Sequence, residues 1–424
     1  MSSPPHRSFG GEPMIEKTKR KRKRKKPSPV LPQTLQSTPV PSLPDDLLLS
    51  SFARISRLHY PALSLVSKTF RSLLTSPELY ETRSLLGRTE SCLYLCLKPT
   101  TDPFPIRRWF TLCRKPNRTL TTGNTREKKK KKKKQTLTNG YTTEKKKKVN
   151  SSGNILIPVS FPNSPQVHWQ SVVAVGSCIY VIGGPINDSY SSDLWVQFHV
   201  WRKGPSMSAE RYYPAVDVVD GKIYVVGGGY DLDASNWMEV FDPKTQTWEC
   251  VVCPHAERFS RSVDRSAVVE GRIFYMFFME GMSYDPKEDR WEAMKMMANM
   301  DSGWPWLSYC VVDDVLFACC DSEGLRWYDF KKQSWMEMKS LKGLPEFARY
   351  CHYQMADYGG KLAVFWKKSV GVKGINKSKK IRCAVIAIEK RNGGEEVWGT
   401  VEWHDLVLTL PESFELVHAL SAAV

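Results

Sequence analysis

A mostly β chain, arranged as a ring of repeated four-stranded units behind a short helical segment, is what three observations on the 424 residues predict. First, a strand, tight turn, strand pattern recurs five times: VVAVGSCIYVIGG (172–184), VDVVDGKIYVVGGG (216–229), SAVVEGRIFYMFF (266–278), YCVVDDVLFACC (309–320) and QMADYGGKLAVFW (354–366). Each joins an apolar run to a β-branched and aromatic run across a Gly or Asp turn, the signature of a β-hairpin. Second, the turns at Gly176, Gly221, Gly271, Asp314 and Gly360 are spaced by 45, 50, 43 and 46 residues, and Trp201, Trp248, Trp291 and Trp335, each on a later strand, by 47, 43 and 44. Two markers with one period define a repeat, and a four-stranded repeat buries its apolar face only by stacking on its neighbours, as the blades of a β-propeller do. Third, helical spacing of apolar residues marks residues 42–74, SLPDDLLLSSFARISRLHYPALSLVSKTFRSLL, and gives way to strand spacing from Cys92.

Taken in order, residues 1–41 combine Pro, Ser and Thr with a basic run and few large apolar residues. That is too little apolar surface to offset the entropy of ordering, so a disordered tail is expected. Pro44 suits the first turn of a helix, Asp45 and Asp46 suit its positive end, and Leu48, Phe52 and Ile55 recur at helical spacing, giving a first helix that ends near Arg57. Pro61 interrupts; Leu63, Val66, Phe70, Leu73 and Leu74 then give a short second helix and a third that ends before Ser76-Pro77. Phe52, Phe70, Leu73 and Leu74 read as internal packing of these helices or of their junction with the first blade. Three helices in so short a stretch do not close a core alone, so the segment needs a partner, or the domain behind it, to cover its apolar side.

CLYLCL (92–97) and RWFTLC (108–113) form the inner part of one further blade, which brings the ring to about six. That blade lacks a leading strand, and the apolar tail FELVHALSAAV (414–424) is a strand left over. The tail is therefore expected to close the ring on the first blade. The domains are a tail at 1–41, a helical unit at 42–88 and a propeller at 89–424, with a Lys-rich loop at 126–150 and a second basic loop, KKSVGVKGINKSKK (367–380), in the last blade.

The formal net charge of +18 suggests nucleic acid until it is located along the chain. Residues 17–26, 128–134 and 145–148 hold 20 basic side chains, so everything else is close to neutral, at about −2. The basic run Lys19, Arg20, Lys21, Arg22, Lys23, Arg24, Lys25 and Lys26 suits nuclear import or a phosphate-binding arm. Import is preferred, because no aromatic residues interleave the lysines as they would on a single-strand-binding surface. Placement in the nucleus and/or the cytoplasm is expected. Eleven cysteines, an odd number without framework spacing, read as reduced thiols. The N-terminus has no apolar signal-peptide core, and no run has the roughly 18 to 20 apolar residues of a membrane span.

LPDDLLLSSFARI, then LHYPALSLVSKTFRSLL followed by SPELY, closely resembles the F-box. The repeats resemble kelch blades: Gly183-Gly184 and Gly227-Gly228 stand for the paired glycines that end the second strand, and Trp248 for the tryptophan that follows them. The later repeats depart from that pattern, with Phe277-Phe278, Cys319-Cys320 and Phe365-Trp366 in place of the glycines. An F-box followed by a kelch-type propeller is the layout of a large plant family of F-box/kelch-repeat proteins. The resemblance implies a substrate-recognition subunit of an SCF-type (cullin-RING) E3 ubiquitin ligase, docking on a SKP-type adaptor through the F-box and binding a target protein through the propeller. It implies Leu43, Pro44, Leu47, Ile55 and Val66 as adaptor contacts. Leu43 and Pro44 precede the first helix and lie outside its buried stripe, which favours an intermolecular role. Phe70 stands where many F-boxes have Trp.

Chemistry finds little support. Cys250-Val-Val-Cys253 is followed by His255, but a structural zinc site needs four ligands and no second pair has matching spacing. No GxSxG, P-loop or HExxH string occurs, and the dispersed His and Tyr do not suggest the copper ligands of oxidase propellers. A non-catalytic protein without cofactors is expected. Its target would be held on loops, where a rigid scaffold carries binding residues. Trp304 and Trp306, in WPW between two blades, are candidate anchors, with packing between the blades as the other reading. Arg211-Tyr212 and Arg349-Tyr350 occupy equivalent positions before a hairpin and would line one face. The other functional reading is a nuclear kelch scaffold or nucleic-acid-associated protein that does not engage a ligase.

Overall fold

The computed structural model describes residues 43–100, 107–115, 152–159, 164–166, 168–184, 189–197, 200–230, 232–257, 263, 265–276, 281–294, 308–320, 324–344, 353–369, 379–410 and 413–424. Six four-stranded antiparallel sheets follow one another along the chain. Blade 2 runs through Val172–Val175, Cys178–Ile182, Leu194–Gln197 and Trp201–Lys203, and blade 3 through Ala215–Val219, Lys222–Val226, Met238–Asp242 and Thr247–Val251. Blade 4 comprises Arg265–Val269, Arg272–Met276, Gly281–Asp285 and Arg290–Met294. Blade 5 comprises Tyr309–Val312, Val315–Cys320, Gly324–Asp329 and Ser334–Glu337, and blade 6 Tyr353–Asp357, Lys361–Ser369, Lys379–Arg391 and Glu396–Leu410. In blade 1 the last strand of the chain, Phe414–Ala423, stands ahead of Ser91–Pro99, Arg108–Arg114 and Asn154–Val159.

The leading strand of each blade packs against the leading strands of both neighbours, so six inner strands surround a central channel. Closure comes from the tail, as the missing strand predicts. Phe414–Ala423 pairs with Ser91–Pro99 from Ser91↔Ala423 to Pro99↔Phe414, and buries Phe414, Leu416, Ala419, Leu420 and Ala422.

Local chemistry sets each turn. Asp220-Gly221, Glu270-Gly271, Asp313-Asp314 and Gly359-Gly360 all have φ between 47° and 80°, the left-handed pair that matches the twist of a two-residue hairpin. Between the third and fourth strands, Asp242, Asp285 and Asp329 accept from the backbone N–H of Lys244, Lys287 and Lys331 at 2.8, 3.0 and 2.9 Å. This turn, built on the aspartate side chain, is why DPK or DFK precedes each of those outer strands. The tryptophans after it fasten neighbouring blades: Trp248 Nε1 donates to Pro205 O at 2.9 Å and Trp291 Nε1 to Val252 O at 3.0 Å. The paired glycines have a spatial cause as well. A Cβ on Gly228, at φ 74°, would lie 2.7 Å from Tyr212 O and 2.9 Å from Pro214 N, where the chain enters blade 3. In the last two blades Cys319, Phe365 and Trp366 are instead buried core.

The helical unit differs in detail from its periodicity. Helix α1 spans Asp45–Ala53, α2 Tyr60–Leu63, α3 Lys68–Leu73 and α4 Pro77–Leu85. Helix α1 stops short of Arg57 because Arg54 N turns back to Ser51 O, and Ser56 then caps a separate 3-10 turn at Arg57–His59 by accepting from Leu58 N at 3.3 Å. Helix α4 is an addition to the expected three: Ser76-Pro77 ends one helix and starts the next, with proline at a first-turn position. Phe52, Ala53, Tyr60, Leu74 and Leu79 form its small core, with Leu48, Phe70 and Leu73 packed against it. The second basic loop is shorter than expected. Strand pairing in blade 6 continues to Ser369↔Lys379, and Lys367 Nζ donates to Phe414 O at 3.0 Å on the closing strand. The runs at 17–26 and 128–148 lie outside the described residues. No described helix is long and apolar enough to cross a membrane.

Candidate functional site

Two surfaces carry exposed apolar side chains, and antiparallel order puts them on opposite faces of the ring. The hairpin turns between first and second strands lie on one face; the starts of the inner strands lie on the other. The helical unit belongs to the first of these. It enters blade 1 at Ser91, beside the end of the closing strand, where Ala423 N donates to Gly176 O at 2.8 Å in the blade 2 turn.

That attachment is polar and specific. Arg83 on α4 is 2% exposed, and its guanidinium donates to Val424 O at 3.1 Å, Ala53 O at 3.2 Å, Ile55 O at 2.8 Å and the Tyr60 hydroxyl at 3.1 Å. Its remaining nitrogen pairs with Glu90 at 3.1 Å, and Glu90 also accepts from Arg57 N. Arg57 in turn donates to the Tyr94 hydroxyl at 3.2 Å and lies over the Tyr80 ring. One arginine therefore gathers the end of α1, the start of blade 1 and the end of the closing strand. A buried guanidinium is stable only when its donors are met, so this geometry holds the helical unit in a fixed orientation.

With its core and junction satisfied, the helical unit still leaves apolar side chains in water. Leu43 is 60% exposed, Leu47 53%, Leu65 69% and Val66 63%, and Pro44 is exposed as well. Ile55 differs from the other expected adaptor contacts: it is half-buried against the helical core, and its carbonyl is held by Arg83. Leu65 was not singled out from the sequence, because the α2–α3 connection interrupts the helical period that marks its neighbours.

On the opposite face, Arg211 is not a surface residue. Its side chain is fully buried, paired with the equally buried Glu239 at 3.0 Å, and donates to Gly227 O at 2.7 Å and Asn236 O at 2.7 Å. Burial pulls the guanidinium down from its ordinary range, and Glu239 opposes that pull. Glu239 also accepts from Ser208 N at 2.7 Å. The pair thus pins the chain as it passes from blade 2 to blade 3, which corrects the expectation of a binding role. Tyr212, next in sequence, is half-buried on this face and belongs to a ladder of rings. Its centroid is 4.3 Å from Tyr213 and 5.3 Å from Tyr190, and Tyr213 is 4.0 Å from His168. Trp304, Trp306, Arg349 and Tyr350 lie outside the described residues.

Beside the ladder the central channel opens as a cavity of about 150 Å³, lined among others by Gln170, Asp217, Arg265, Tyr309, Gln354 and His418. Burial raises the Asp217 carboxyl to about 7, with a hydrogen bond from Ser266 acting against it. His418 and His168 are lowered to about 4 by burial, so both are neutral near pH 7. Cys250 is exposed while Cys253 is buried, with its thiol pushed up by burial. Among the described residues no three His, Cys, Asp or Glu are grouped so as to hold a metal ion.

The FKB95 kelch-repeats domain family matches residues 109–408, and the F-box domain family matches residues 40–82. The chain belongs to the F-box/kelch-repeat family. Among its relatives, three F-box/kelch-repeat proteins of Arabidopsis thaliana are 54%, 49% and 46% identical. The aligned parts cover 97%, 91% and 92% of this chain and 100%, 93% and 97% of those proteins. An F-box joined to a kelch propeller has the composition of a substrate adaptor, a role that is generally non-catalytic.

In this F-box/kelch protein the residues missed by sequence reasoning are the ones whose partners are far away. Arg83 donates to an atom 341 positions on, and nothing near it in sequence distinguishes it from any helical arginine. Asp217 carried a weak signal: it is the charged residue within the otherwise apolar strand Ala215–Val219. A period of two puts it on the side of Ala215 and Val219, which pack against blade 4, and away from Val216 and Val218, which pack against blade 2; its place at the channel comes from the ring of inner strands.

Proposed function

We propose that this protein is the substrate-recognition subunit of an SCF-type ubiquitin ligase, with the F-box docking on a SKP-type adaptor and the loop face of the propeller holding the target protein. The observation that carries the reading is the exposure of Leu43, Leu47, Leu65 and Val66 on a helical unit whose own core is already filled. Exposed leucines in water are costly to leave open and favour association. Leu43, Pro44, Leu47 and Val66 are the proposed contacts, with Ile55 supporting them from beneath. The protein performs no bond chemistry in this role. It raises the effective concentration of a target near the transferring enzyme, and the Arg83 network makes the spacing reproducible. The run Lys19–Lys26 is proposed as a nuclear-import signal, with residence in the nucleus and/or the cytoplasm.

The test is retention of a purified SKP-type adaptor by the full chain. Wild type is expected to retain it, and Leu43→Ala/Pro44→Ala to lose at least roughly tenfold in affinity, the scale of losing interface anchors. Equal retention by both proteins would remove the F-box face from the interface. Salt-sensitive binding to nucleic acid without adaptor retention would favour a nuclear scaffold instead.

A further inference from the structure

The loop face combines aromatic rings with acidic groups. Tyr190 is 42% exposed and Tyr230 64%, and a series of tilted ring contacts, Tyr190, Tyr212, Tyr213, His168, runs inward from the rim. Glu210, two residues before Tyr212, and Asp233, three after Tyr230, are exposed carboxylates. His168 Nδ1 accepts from Gln170 N at 3.4 Å, and Gln170 lines the channel mouth together with Asp217. The ladder and the mouth are therefore continuous.

Asp217 is the unusual group there. It stands on an inner strand, and its Oδ2 is buried with no hydrogen-bond partner. Burial favours the protonated carboxyl in the free protein, and a cation brought against this unpartnered oxygen would displace the proton and meet a carboxylate. The nearby imidazoles do not compensate, since His418 and His168 are both held neutral. Arg265 lines the same cavity and acts electrostatically on His168, as does Arg107; both have interactions of their own. Tyrosine faces attract cations, and the stems of lysine and arginine pack along such rings.

We propose that the target segment held on this face presents a lysine or arginine side chain, its stem lying along the Tyr190–Tyr212–Tyr213 ladder and its charged head received by Asp217 at the channel mouth. This deepens the substrate-holding reading of the propeller and rests on it. The cavity of about 150 Å³ admits one side-chain head and not a folded element, so the partner is an extended segment with a single inserted basic residue. An acidic side chain would bring its charge toward Asp217, Glu210 and Asp233.

The experiment selects a random-heptapeptide display library on the full chain and sequences the retained peptides. Lys and Arg are expected to be enriched at one position, and synthetic peptides from that pool should bind Asp217→Asn at least roughly tenfold more weakly, the scale of a lost charge-assisted contact. Tyr212→Leu, which keeps an apolar side chain and removes the ring face, should weaken the same peptides severalfold. Enrichment of Asp and Glu, no enrichment at all, or undiminished binding by Asp217→Asn overturns the proposal. Adaptor retention is measured on the same Asp217→Asn protein and is expected to be unchanged. Loss of peptide preference is thereby separated from failure of the ligase reading, which is tested at Leu43 and Pro44.

Discussion

The F-box and the propeller bury their apolar residues by opposite strategies. Each blade is incomplete alone, but the ring consumes every inner face, and even the last strand is spent on closing blade 1. The F-box closes a small core of five buried residues around Phe52 and Leu79 and leaves Leu43, Leu47, Leu65 and Val66 in water. Cyclic packing gives each inner strand a neighbour on both sides, whereas the short helical unit leaves apolar side chains that its own core does not cover. The two halves meet at Arg83, which binds carbonyls of both. A ring joined to a fixed clip agrees with the proposed role, in which one partner is held at a set distance from another.

The largest disturbance of this contrast is removal of residues 412–424. It deletes the inner strand of blade 1 and the Val424 carbonyl that anchors Arg83, so ring and clip should fail together. Phe414, Leu416 and Leu420 are each worth roughly 1.5–3 kcal/mol when buried, against a typical total of about 5–15 kcal/mol. Loss of a cooperative thermal transition is expected. An unchanged midpoint would mean that the closing strand is not part of the folded ring. A smaller and more selective blow is Arg211→Met, which leaves Glu239 buried without its cation and should cost about 3–5 kcal/mol in denaturant melts. Adaptor retention should survive at temperatures where the variant is folded, because the pair belongs to the passage between blades 2 and 3. Arg211→Met/Glu239→Leu should recover part of the loss, and failure to recover would show that the arginine acts chiefly through the backbone carbonyls it binds.

What could be read in advance follows the range of the interactions. Hairpins were legible because a two-residue turn with Gly or Asp between alternating runs is a local rule, and the Trp markers repeat it independently. Closure was legible by subtraction, since blade 1 lacked a strand and 414–424 supplied one. Helix α4 escaped because Ser76-Pro77 reads equally well as a stop and as a cap followed by a first-turn proline. Arg211 was misplaced because an arginine beside a tyrosine ahead of a hairpin looks exposed, while the carboxylate that buries it stands 28 residues on. On the F-box, Leu43 and Pro44 could be separated from the core by position alone. On the propeller, only the ring of inner strands brings Asp217 to His418, from blades that are far apart in sequence.

The finest test concerns the channel and uses pH. Asp217, raised to about 7, keeps a proton in the folded state that the unfolded chain releases near 3.9, so its contribution to stability is present in acid and is lost as pH rises across that window. His418 and His168, lowered to about 4, act in the reverse sense. The unfolded imidazoles hold protons up to about 6.5 while the folded ones do not, so stability grows as pH rises from 4 to 6.5. The groups around Asp217 are Ser266 and Arg265 on the blade 4 inner strand, Tyr309 on that of blade 5 and His418 on the closing strand; of these, only the histidine titrates in this window. Wild type should therefore still gain from pH 4.5 to 6.5, by up to about 1.4 kcal/mol per pH unit, because one carboxyl offsets only one of the two imidazoles. Asp217→Asn removes the opposing group and should steepen the gain by up to about 1.4 kcal/mol per pH unit, the most that one proton can contribute. Parallel urea titrations of both proteins across that range measure the difference. Identical slopes would mean that Asp217 is ionised in the folded ring.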